Sequence, residues 1–179
     1  MQNWPLTITA ILRHACGVNG DRVVTTATGQ GGHRSITYRE VGEQAAQLAH
    51  ALRGLGITGD ERVATFQWNN AEHLVAYLAA PAMGAVLHTL NIRLSPEQIA
   101  FIANEAEDQV IIADASLVPL LAPVLPQLST VHTVIVVGDG DLDALSGPTV
   151  LRYDELLAGQ PTEFDWPELD ENSAAAMCY

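Results

Sequence analysis

Apolar positions recur along the chain with two periods, and the alternation between them predicts the fold. Between Thr37 and Gly56, the residues Val41, Ala45, Leu48, Ala49, Leu52 and Leu55 fall three and four apart, which is one face of an α-helix. Thr37 and Glu40 have capping-box spacing, in which each side chain satisfies an otherwise unpaired backbone N–H. Gly54 and Gly56 supply the stop. Upstream, Ile8, Ile11, Leu12 and Ala15 predict a short helix over residues 6–18. Two short extended runs, 22–28 and 34–38, flank Gly29-Gln30-Gly31-Gly32 and predict a β-hairpin.

From residue 62 onward, apolar runs alternate with helical segments. Strands are expected at 62–67, 85–90, 109–113 and 132–137. Asn70 is placed to cap a helix that runs to about Met83 and is ended by Gly84. Ser95 caps the next helix, with Pro96 at its first position and Gln98 three residues after the cap. Residues 117–128 carry three prolines, so any helix there is short or broken. Residues 153–158 read as a turn or two of helix, and 174–179 as a last strand. Apolar strands separated by helices predict an α/β fold. It is a doubly wound, mostly parallel sheet with helices on both faces, plus a small N-terminal β-hairpin. The organisation expected is one domain over 1–179, with an acidic loop or linker segment at 139–172.

Composition narrows the function classes. At 179 residues, 48% of them apolar, the chain is long enough to bury a sizeable core. No apolar run reaches the roughly 20 residues of a membrane-spanning helix. The N-terminus has no basic flank and no cleavage site, so a cytoplasmic location is expected. Cys16 and Cys178 lack ligand-like spacing and read as reduced, buried thiols. A net charge of −13 speaks against nucleic acid as a partner, because phosphate binding needs clustered positive charge. Ten of the 21 acidic residues fall between Asp139 and Glu171, which reads as a solvated surface. All eight basic residues are arginines; there is no lysine.

Familiar catalytic signatures are missing. Without lysine there is no G-x-x-x-x-G-K-[ST] loop. Gly29 to Arg34, "GQGGHR", is not a G-x-G-x-x-G turn and lies in a hairpin. Ser146 sits in a loop rather than a nucleophile elbow. The six histidines, His14, His33, His50, His73, His88 and His132, show no zinc spacing, so no metal site is expected. Glu72 favours the positive end of a helix dipole. His88, within an apolar strand, reads as a hydrogen-bonded core or sheet-edge histidine. Residues 67–70, "QWNN", fall where a strand ends and a helix begins, a usual ligand position; Asn70 as a helix cap explains them more simply.

The block "HLVAYLAAPAMGAVLHTLNIRLSPEQIAFIANEAEDQVIIAD", His73 to Asp114, resembles the N-terminal region of adenylate-forming acyl-CoA synthetases of the fatty-acid–CoA ligase type. Upstream, "ITYREVGEQAAQLAHALRGLGITGDERVATFQWN", Ile36 to Asn69, is similar to the same family's "T-Y-x-E-L … G-D-x-V-A" stretch. The resemblance implies an incomplete N-terminal portion of that family's large domain. It also implies a parent enzyme that uses ATP, Mg2+ and coenzyme A to turn a fatty acid or other carboxylate into a thioester, releasing AMP. In the family the strand resembling "AAMCY" runs into a Thr/Ser/Gly-rich loop ending in Lys-Gly that cradles the ATP phosphates. Tyr179 stands at the threshold of that loop and is the one cofactor-side position singled out; no catalytic residue is expected among these 179. The span alone is therefore expected to be inactive, and an apolar sheet edge left at "AMCY" predicts a homo-oligomer. The alternatives are a non-catalytic binding or dimerisation module with the same fold, and an unrelated small α/β ligand-binding domain.

Overall fold

A computed structural model describes residues 4–29 and 31–179. Gln30, in the expected hairpin turn, and residues 1–3, in the stretch read for a signal peptide, lie outside the described residues.

The elements follow the expected alternation. Helix α1 (Ile8–Asn19) leads to the hairpin β1 (Val23–Gly29) and β2 (Gly32–Thr37), then to α2 (Tyr38–Gly54). Next come β3 (Arg62–Phe66), α3 (Ala71–Ala82), β4 (Val86–Thr89), α4 (Pro96–Glu105) and β5 (Asp108–Asp114). The chain continues through a four-residue α5 (Val118–Leu121), β6 (Thr133–Val137), β7 (Thr149–Arg152), α6 (Tyr153–Leu157) and β8 (Ala176–Met177). The hairpin is antiparallel, with Val23 opposite Thr37. The main sheet has the order β7-β6-β5-β3-β4-β8, and each neighbouring pair is parallel.

Side-chain alternation builds two cores. Val63, Leu87, Val110, Ile112 and Ile135 face one side, where α2 and α3 supply Leu48, Leu52, Val75 and Ala79. Ala64, Phe66, Ile111, Val134 and Val136 face the other, against Ile99 and Ala103 of α4 and Leu117 to Leu125 around α5. Helices thus cover both faces, as a buried parallel sheet requires. The caps form as expected: Thr37 with Glu40 and Ser95 with Gln98 make complete capping boxes, and Asn70 accepts the His73 N–H. At the other end of α2 and of α3 the chain reverses through Gly56 (φ +96°) and Gly84 (φ +100°). The N–H of Ile57 reaches the carbonyl of Leu52, and that of Ala85 reaches Ala80, closing both helices with the same left-handed cap.

Two strands depart from the sequence reading. The acidic stretch 139–172, expected as a loop or linker, contains the four-residue β7 as well as α6. Thr149 to Arg152 gains its strand geometry from pairing with β6, a tertiary contact that a run of four residues between Gly, Pro and a helix does not announce. The last strand spans two residues rather than six, paired as Leu87 with Ala176 and His88 with Met177. It lies at the sheet edge with a neighbour on one side only, and alanine is a weak strand former. Cys16 is half-buried and Cys178 exposed, so the expectation of two buried thiols fails at Cys178, which lies just past this short strand.

Candidate functional site

Strand order decides where a ligand could approach. From β3 the chain passes to β4 on one side, then returns to β5, β6 and β7 on the other. The crevice beyond the carboxyl ends of β3 and β5 is therefore the topological switch point, the usual ligand position in such sheets. A cleft of about 750 Å3 opens there, walled by Thr26, Arg34, Trp68, Glu72, Asp114 and Asp154.

The crevice is organised around Asp114, at the end of β5. Its Oδ2 accepts the Trp68 N–H at 2.6 Å, and its Oδ1 accepts Nδ2 of Asn70 at 2.9 Å. Asn70 in turn accepts the His73 N–H through Oδ1 at 2.8 Å, capping α3. Burial pushes the Asp114 carboxyl above its ordinary range, and the two donated hydrogen bonds oppose that rise. His73 completes the network. Burial lowers its pKa, which favours the neutral ring. Because a carbonyl only accepts, Nδ1–H donates to the Trp68 oxygen at 3.1 Å, leaving Nε2 to accept the Thr65 hydroxyl at 3.0 Å. The indole N–H of Trp68 donates to Oγ of Ser116 at 3.1 Å. The neighbouring Gln67 is buried with no partner for its amide among the described residues.

The charge of this cleft is net negative. Glu72, Asp114, Asp139 and Asp154 line it against one cation, Arg34, which is already ion-paired with Glu72. Such a wall repels phosphate rather than gripping it. Among the described residues, no group of three His, Cys, Asp or Glu side chains could hold a metal ion. The residues present thus do not fit the triphosphate and magnesium of an adenylating centre.

Tyr179 lies elsewhere, past the end of β8 and beside β4 rather than at the β3–β5 crevice. Its side chain is largely exposed, and its ring lies 5.4 Å from that of His88, centroid to centroid. His88 is a core histidine: it is fully buried, with Nδ1 2.9 and 2.8 Å from the two carboxylate oxygens of Asp108. The sequence reading found Asn70 and His88 but missed Asp114 and Asp108. Each is an acid at a boundary of the buried run "DQVIIAD", where a carboxylate must find fixed donors to be tolerated. That boundary position was the available signal.

The strand order β7-β6-β5-β3-β4-β8, parallel throughout and covered by helices on both faces, defines a doubly wound α/β fold. Residues 12–179 match the AMP-binding enzyme family, and the chain belongs to it. It is 37% identical over 180 residues to the 3-methylmercaptopropionyl-CoA ligase of Ruegeria lacuscaerulensis, covering 100% of this chain and 33% of that protein. It is 37% identical over 179 residues to the long-chain-fatty-acid–CoA ligase of Thermus thermophilus, covering 100% and 32%. Its fold matches that of the anthranilate CoA ligase AuaEII in complex with anthranoyl-AMP, with a TM-score of 0.85 at 20% identity over 98% of this chain and 32% of that one. The chain spans about a third of the length of the curated relatives it matches.

Proposed function

We propose that residues 1–179 form the N-terminal scaffold of an AMP-forming acyl-CoA ligase. The whole enzyme adenylates a fatty acid or related carboxylate with ATP, Mg2+ being the metal, and releases pyrophosphate; it then passes the acyl group to the thiol of coenzyme A and releases AMP. The observation that carries this reading is the collinear match of residues 12–179 to the AMP-binding enzyme family. Relatives named for a methylthio acid and for long-chain fatty acids stand at the same 37% identity, so the acyl pocket is assigned to residues outside this span.

The scaffold itself performs no adenylation in this reading. Attack of a carboxylate on the α-phosphate of ATP builds negative charge that cations and backbone N–H groups must stabilise. The span has no lysine, and its carboxyl-edge cleft is acidic. Both features support a division of labour in which these residues set the sheet and others grip the nucleotide. A cytoplasmic location fits the same reading; no helix among the described residues is long and apolar enough to cross a membrane. Self-association also belongs to it: Leu6, Ile11 and Val18 are exposed along α1 and its approach. Light scattering of the purified chain is expected to give a dimer or larger species, and a clean monomer would remove this part.

The test joins this span to the remainder of the ligase and supplies ATP, Mg2+, coenzyme A and a series of carboxylic acids. Acid-dependent AMP release with acyl-CoA formation is expected. AMP release with no thioester product, or no response to any acid, would overturn the reading.

A further inference from the structure

Strand β4 carries His88 at the position that pairs with Met177 of β8. The residue is fully buried, and so is Asp108, two strands away at the start of β5. The contact between them therefore reaches past β3. Nδ1–H of His88 donates to the Asp108 carboxylate, with 2.9 and 2.8 Å to its two oxygens, and this bond fixes the direction of the ring. Asp108 is anchored further by its own backbone carbonyl, which accepts the Thr130 hydroxyl at 2.7 Å. The other ring nitrogen, Nε2, is buried without a partner among the described residues.

The ring against His88 is that of Tyr179, tilted by 56°. Around it, β4 supplies the rest of the hold on the final residues. The Leu87 N–H donates to the carbonyl of Ala175 at 3.1 Å, and Thr89 Oγ1 lies 3.9 Å from the Cys178 sulfur. With two ladder residues, β8 has little else to fix its path. Simple packing does not call for this arrangement. Apolar side chains of similar volume would fill the same space without removing an imidazole and a carboxylate from water. A ring fixed through one nitrogen, with its other side turned to the final residues, instead gives them a rigid seat.

We propose that His88, oriented by Asp108, is a positioning residue that sets the path of β8 and Tyr179, and through them the start of the ligase's phosphate-gripping segment. This rests on the ligase reading for its second half only. The seat itself is testable on the chain as it stands, with Cys178 as reporter and half-buried Cys16 as internal control. Maleimide modification of each thiol, followed by peptide mass spectrometry, reads the exposure of β8. His88→Phe, Asp108→Leu and the double variant His88→Phe/Asp108→Leu are compared with the unsubstituted chain.

At least a fivefold faster modification of Cys178 is expected in each variant, with the Cys16 rate unchanged. The double variant carries the decision, because removing both partners leaves no unpaired buried charge and its denaturation midpoint returns near the original. Fast Cys178 modification in that stable variant supports the seat; modification at the original rate overturns it. In the complete ligase the double variant is expected to raise KM for ATP about tenfold with kcat within about twofold, and an unchanged KM would sever the link to the nucleotide. A ligase without ATP-dependent activity before substitution would refute the ligase reading while leaving the Cys178 result standing.

Discussion

At the carboxyl edge of the sheet, the crevice between β3 and β5 and the end of β8 are separated by β4, and they are built differently. In the crevice, Asp114 meets two donors, Asn70 serves as both donor and acceptor, and each nitrogen of His73 has a partner. Apart from the Gln67 amide, the polar groups there answer one another. At the end of β8 two residues pair, His88 is bonded through one nitrogen, and Tyr179 stands in solvent. The switch point, where a ligand is expected on topological grounds, is thus spent on holding strands and helix together. The end of β8 is the less finished place, with one buried ring nitrogen of His88 lacking a partner among the described residues. Position in a fold indicates where a ligand could sit, while hydrogen-bond satisfaction and charge indicate whether the place is taken.

Substitutions should separate the two regions by size of effect. Phe66→Ala, at a fully buried position on β3, is expected to cost about 3–5 kcal/mol in denaturant unfolding. Met177→Ala, at a half-buried position on β8, should cost less than about 1 kcal/mol in the same measurement, since surface-like sites rarely exceed that. Equal costs would break the contrast. Asp114→Ala should come next, at about 2–4 kcal/mol, because it removes a buried carboxylate that accepts from both the Trp68 N–H and the Asn70 amide. Gly84→Ala should cost about 1 kcal/mol, the strain of a left-handed residue, with the added methyl in ordinary contact with Leu169 at 3.5 Å.

The smallest effect is in pH dependence. Burial holds the His73 pKa below its ordinary 6.5, so the unfolded chain takes up a proton before the folded one does. Stability should therefore fall as pH drops below about 6.5, and the loss should level off below the lowered folded value. His73→Gln should remove this slope from an acid titration of the unfolding midpoint. Retention of the slope would place the titration on another group.

Much of the fold was legible because local signals agreed. The capping boxes at Thr37 and Ser95, the cap at Asn70 and the glycine stops at Gly56 and Gly84 mark helix ends by chemistry confined to a few residues. Runs such as residues 110–113 are apolar throughout because both faces are buried, and that too is local. Strand β7 and the shortness of β8 were not legible, since each depends on a partner strand distant in sequence. The Asp114 network stayed hidden for the same reason: Asn70 was readable as a cap, but its second bond reaches 44 residues along the chain. The pairing of His88 with Asp108 across β3 likewise required the sheet order, which the sequence leaves open between several right-handed arrangements.

The central claim is that these residues supply the scaffold and none of the groups that grip triphosphate. Its most direct test is AMP release by residues 1–179 alone, supplied with ATP, Mg2+, coenzyme A and fatty acids, beside the complete ligase at equal concentration. AMP at background from the span and sustained release from the complete ligase are expected; catalytic turnover by the span alone would contradict the claim.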